Sequence, residues 1–89
     1  MESRIAQDAR DLILAHVAEQ LVATGMTPSD VPPSFDLLLE GVIDSFGVVD
    51  LVLMLEAEFG IEFDFDELDA DDMTRVGPLA EYVARSVAT

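Results

Sequence analysis

An all-α bundle is the fold that this sequence predicts: three main helices and one short helix, with a long loop after helix 1. Three observations carry the prediction. Apolar residues recur at the three-to-four spacing of an amphipathic helix in three separate stretches. Three prolines, Pro28, Pro32 and Pro33, crowd six positions between the first two stretches. The single alternating segment, Ile61-Glu62-Phe63-Asp64-Phe65, is a lone run of strand pattern with nothing to pair with.

In the first stretch Ile5, Leu12, Val17 and Leu21 share a face, with Ala9, Ile13 and Ala18 beside them; Gly25 closes the helix near Ala23. From Thr27 to Ser34 the prolines forbid an α-helix and stiffen the loop. Phe35 to Glu40 has the makings of a short helical turn, ended by Gly41. The second helix opens at Asp44-Ser45, where either residue can cap it, and runs to about Phe59, with Gly60 at its end. It holds more apolar residues than one buried stripe needs. Leu51, Val52, Leu55 and Phe59 are assigned to the core, which leaves others exposed. Ile61, Phe63 and Phe65 are expected to tuck inward from an extended connector. Short helical turns fill Asp66 to Met73. Thr74 is expected to cap the last helix, with Pro78 tolerated in its first turn and Val76, Leu79, Ala80, Val83 and Val87 facing inward.

The 89 residues read as one small domain, residues 1–89, and a hydrophobic content of 51% is ample for a core. With no cysteine and a single histidine, His16, disulfides, thiolate sites and multi-histidine metal sites are excluded. The acid run from Asp64 suggests a calcium loop, but its sixth and twelfth positions hold Asp69 and Arg75 where Gly and Glu are needed; no metal site is expected. Nineteen acidic residues stand against four arginines and no lysine, a net charge of −15. That charge repels nucleic acid and anionic membranes, favours a monomer, and suits partners with basic patches. Nine acids lie between Glu56 and Asp72 with no basic residue among them. The longest apolar run, Leu51 to Leu55, is far too short for a bilayer, and Met1-Glu2-Ser3-Arg4 opens no apolar leader; the expectation is a cytoplasmic protein.

The informative segment begins at Gly41. Asp44-Ser45-Phe46 opens the second helix, Asp50-Leu51-Val52 follows, then Glu56-Ala57-Glu58-Phe59-Gly60-Ile61, and later Thr74-Arg75-Val76. In these motifs, and in the proline-bearing loop after the first helix, the chain resembles the acyl carrier protein family, including peptidyl and D-alanyl carriers. The resemblance covers nearly the whole chain. It implies an acyl-carrier-like bundle and a 4′-phosphopantetheine arm on Ser45, installed from coenzyme A by a phosphopantetheinyl transferase. It also implies that Asp44 helps to present Ser45. A helix N-terminus suits the phosphate, because unpaired N–H groups and the helix dipole favour negative charge there. By position in the motif Phe46, Val49, Asp50, Leu53, Met54 and Glu56 correspond to residues that carriers show to their enzymes. Phe46 departs from the family's commoner Leu. Gly47 costs about 1 kcal/mol of helix propensity relative to Ala, and the expected return is close approach of a partner or of the arm to the backbone.

On this resemblance the chain is a discrete, non-enzymatic carrier of a thioester-linked acyl or aminoacyl cargo, in fatty acid, polyketide or nonribosomal peptide biosynthesis. Specialised metabolism is favoured, because Phe46, Gly47 and Asp50 depart from the commonest fatty-acid carrier wording. Its partners would be the transferase, a loading enzyme and a downstream synthase. The competing reading is an unmodified acidic interaction module. A hydrolase using Ser45 is disfavoured because no base is placed for it.

Overall fold

The computed structural model describes residues 4–88; Met1 to Ser3, read above as opening no leader, lie outside the described residues. Among the described residues five α-helices occur in the order α1 (Arg4–His16), α2 (Ala18–Ala23), α3 (Ser45–Phe59), α4 (Ala70–Met73) and α5 (Val76–Ala88). Helices α1, α3 and α5 pack around one core, with α1 against α5 as the largest helix contact. No helix is long and apolar enough to cross a membrane among the described residues.

Helices α1 and α2 are nearly one rod. The turn at Val17 (φ −105°, ψ 13°) interrupts helical geometry, yet the Val17 amide donates to Ile13 O and the Leu21 amide to Val17 O, so the ladder carries across. Ala9, Ile13, Leu14, Val17 and Leu21 are buried along this rod. Gly25, with φ +84°, ends it.

Inside the proline loop a single 3-10 turn, Pro28–Asp30, forms with Pro28 at its first position, where a missing N–H leaves nothing unsatisfied. Arg10 Nη2 donates to Val31 O at 2.7 Å and fastens the loop to α1. Beyond the prolines the loop runs beside the α4–α5 junction. The Leu37 amide donates to Thr74 O (2.8 Å), the Val76 amide to Phe35 O (3.1 Å), and the Gly77 amide to Pro33 O (2.8 Å). The last two bonds satisfy the first amides of α5, which a helix N-terminus otherwise leaves unpaired. Thr74 therefore does not cap α5, contrary to the sequence expectation. It closes α4 instead, is buried, and its single hydroxyl proton is shared between Asp71 O and the Asp36 carboxylate. Asp36 reinforces the junction by accepting the Leu38 and Leu39 amides. Burial pushes its carboxyl up, but the Leu39 amide, the Thr74 hydroxyl, the Leu38 amide and the Arg75 charge together hold it below the ordinary carboxylate range. The expected short turn over Phe35 to Glu40 forms as a single helical turn, with the Glu40 amide donating to Asp36 O (3.0 Å) and the Gly41 amide to Leu38 O (3.1 Å), while Asp36 also bridges to Arg75.

Two apolar expectations fail. Phe65 is 59% exposed, while Phe63 is buried and Ile61 is half-buried. The alternation breaks because the Asp64 amide donates to Tyr82 Oη (2.7 Å) and the Asp64 carbonyl then accepts the Glu67 and Leu68 amides, opening a turn. Phe65 lands outside, stacked on Phe63. Val87, expected inside, is partly exposed near the end of α5, whereas Tyr82 is buried against the Phe63 ring.

The crossing of loop and α5 admits only glycine at 77. A Cβ there would lie 2.7 Å from Pro33 Cβ and 2.9 Å from Pro33 O, and neither a proline ring nor a backbone carbonyl can swing away. Overpacking of this kind costs about 1–3 kcal/mol. Gly77→Ala should therefore lower stability in urea denaturation by about that amount, although alanine is the better helix former; an unchanged or raised midpoint would show that the contact is loose.

Candidate functional site

The site is built on the first turn of α3. Asp44 sits in extended conformation (φ −96°, ψ −175°) and its Oδ1 accepts the Gly47 amide at 2.8 Å, so Asp44 is the N-cap. The Val48 amide donates to Asp44 O, which starts the helical ladder. Ser45 is the first helical residue. It is exposed, and no hydrogen bond engages its hydroxyl among the described residues. The capping task that both residues could perform thus falls to Asp44 alone and leaves the Ser45 hydroxyl open.

The approach to this turn is held by local bonds. Leu37 O accepts both the Val42 and Ile43 amides, which closes residues 38–41 into a knuckle with Gly41 at φ +76°. Leu39, at its tip, is strongly exposed. Behind the site Ile43 folds over Gly47, where a Cβ would meet Ile43 Cβ at 2.9 Å. The space that Gly47 frees is thus used by the chain's own Ile43. That corrects the expectation of room for a partner or for the arm.

Along α3, Phe46 is 84% exposed, Val49 57% and Leu53 58%. Their spacing places them on one face with Asp50, whose side chain is 74% exposed. Leu51, Val52 and Leu55 turn the other way into the core. Two residues expected on the outer face are engaged elsewhere. Met54 is half-buried and packs against the core. Glu56 is half-buried, and its Oε2 accepts the Phe63 amide at 2.8 Å, tying the end of α3 to the connector. Gly60, at φ +64°, closes the helix.

Sequence reasoning missed two members of this surface. Leu39 ends a run of three leucines, Leu37 to Leu39, within a loop just before the serine, a signal that was available. His16, the last residue of α1, places Nε2 3.1 Å from Asp50 Oδ2. The two are 34 residues apart, and no local pattern could have joined them.

Residues 11–83 match the phosphopantetheine attachment site family. The chain belongs to that family. Its cofactor is covalently attached 4′-phosphopantetheine, which supplies a thiol at the end of a flexible arm. The first turn of α3 fits such a group: an open hydroxyl, a fifteen-residue helix aligned behind it, and the Gly47 amide already taken by Asp44, so that the Ser45 and Phe46 amides stay free for phosphate oxygens. Among curated proteins the carrier is similar to the D-alanyl carrier protein of Bacillus licheniformis, 44% identical over 39 residues, or 44% of this chain and 50% of the relative. The D-alanyl carrier proteins of Bacillus velezensis and Bacillus pumilus are 40% identical over 40 residues and 35% over 52, covering 51% and 67% of those chains. The match thus spans about half the length of the first two relatives.

The division of tasks at the cap gives an ordered expectation. Replacing a capping Asp by Ala costs about 0.5–2 kcal/mol, whereas a hydroxyl without a partner contributes little. Asp44→Ala should lose that much stability in urea denaturation and Ser45→Ala should stay within experimental error; the opposite ranking would make Ser45 the cap.

Proposed function

We propose that Ser45 is the attachment point and that residues 1–89 act as a carrier domain with no catalytic activity of its own. The observation that carries this reading is the exposed, unengaged Ser45 hydroxyl at the N-terminus of α3, capped by its neighbour rather than by itself. A separate transferase makes the phosphodiester from coenzyme A, which places the carrier in the cytoplasm with its donor. The arm's thiol, and no side chain of the protein, then holds the cargo as a thioester.

The outer face of α3 receives the partners. Leu53 lies eight residues past Ser45, about two turns along the helix, and an enzyme that takes the arm into its active site must cover that stretch. Phe46, Val49 and Leu53 form an apolar centre, with Asp44 and Asp50 at its edge, a composition typical of docking surfaces. The −15 net charge favours enzymes with basic patches and speeds their encounter. The named relatives carry D-alanine, so a small aminoacyl unit in a specialised pathway is the cargo we favour.

Co-expression with a broad-specificity transferase, followed by intact-mass analysis, tests the reading. The wild type should gain one phosphopantetheine, and Ser45→Ala, still folded, should gain none. A modified Ser45→Ala would move the site; a wild type that gains nothing would make the chain an unmodified interaction module.

A further inference from the structure

The contact between His16 and Asp50 is not needed for the fold. Asp50 is largely solvent-exposed and about a third of the His16 side chain is too; exposed pairs of this kind add little to stability. What the contact does change is the surface. Asp50 stands five residues past Ser45 on α3, about one and a half turns away, beside Phe46, Val49 and Leu53. An ionised carboxylate only accepts hydrogen bonds, so His16 Nε2 must carry a proton and donate it to Oδ2. His16 is the last residue of α1, α1 is anchored in the core by Ile13 and Leu14, and the next residue, Val17, is buried too, so the donor is held by the bundle and not by α3 itself. The bond engages one oxygen of Asp50. Oδ1 makes no hydrogen bond among the described residues and remains available to a donor from outside.

We propose that His16 is a positioning residue for docking: it holds the Asp50 carboxylate in one rotamer, with Oδ1 presented to a basic group of the enzyme that reaches Ser45. The inference rests on the reading of the α3 face as the partner surface. It extends that surface from α3 onto the end of α1. A free aspartate must be ordered when a guanidinium or ammonium group pairs with it, and that entropy cost falls on the complex. A pre-held aspartate has met the cost in folding. An enzyme that transfers phosphopantetheine to Ser45 has to cover residues within two turns of it, so its Michaelis constant for the apo carrier reads the effect.

Steady-state pantetheinylation of the apo carrier by one transferase, with coenzyme A saturating, supplies the test. Asp50→Asn should raise KM. His16→Ala should raise KM about two- to tenfold, the range expected for ordering one side chain, with the change falling on KM rather than kcat and with the thermal midpoint hardly moved. His16→Gln, which keeps an amide N–H donor at similar reach, should restore most of the loss. In an Asp50→Asn background His16→Ala should add nothing. The proposal is overturned if His16→Ala leaves KM unchanged while Asp50→Asn raises it, or if the two effects add in full. A KM untouched by Asp50→Asn removes Asp50 from docking and this inference with it; attachment at Ser45 is read separately, from the mass of the product.

Discussion

Three backbone hydrogen bonds between the proline loop and the α4–α5 junction hold the rest of the molecule in place. Residues 33–37 lie against residues 74–77, joined through Pro33 O, Phe35 O and the Leu37 amide. Gly77 allows the approach, since a side chain there would strike Pro33. The prolines limit what the loop can do when unfolded and so reduce the entropy lost on fixing it. Two of these bonds also serve α5, because they occupy the Val76 and Gly77 amides, which a buried helix end could not leave unpaired. Once Leu37 is held, its carbonyl gathers the Val42 and Ile43 amides, and the chain reaches Asp44 from a set direction.

That direction matters for the chemistry. A serine at a helix start is usually the cap. Here the cap lies one residue earlier, so the Ser45 hydroxyl stands free at the positive end of a fifteen-residue dipole. Ile43 closes over Gly47 behind it, which keeps the turn tight despite the glycine. The face leading away from Ser45 exposes Phe46, Val49 and Leu53, and a Leu buried by a partner is worth about 1.5–3 kcal/mol. The fold therefore separates its tasks along α3: inward residues hold the bundle, outward residues stay available, and Glu56 at the far end anchors the connector through the Phe63 amide.

Local signals made much of this legible. The bounds of α3 follow from an Asp-Ser start and a Gly end, and its core residues follow from helical spacing. The long loop follows from its prolines. What escaped depends on contacts between distant segments. Thr74 resembled a cap, but the amides it would have served are taken by Pro33 and Phe35, some forty residues earlier. Phe65 belonged to an alternating pattern that Tyr82 Oη interrupts at Asp64. Glu56 was placed by its motif position among the partner-facing residues, and its bonding partner lies instead in the connector seven residues on. The His16–Asp50 contact joins two helices and has no counterpart in any local pattern. Ser45 itself was legible as a motif, while the reason that its hydroxyl is open required the cap geometry at Asp44.

Amide hydrogen exchange at Leu37, Val76 and Gly77 tests most directly whether the loop is locked onto α5. Stability is not uniform across a structure, and exchange rates separate loops that open locally from segments that open only with the whole domain. The account predicts that these three amides exchange as slowly as those in the middle of α3, near Leu51 and Leu55. If they exchange at the rate of freely opening loop amides while α3 stays protected, the loop is not held by α5, and the set approach to Ser45 has another cause.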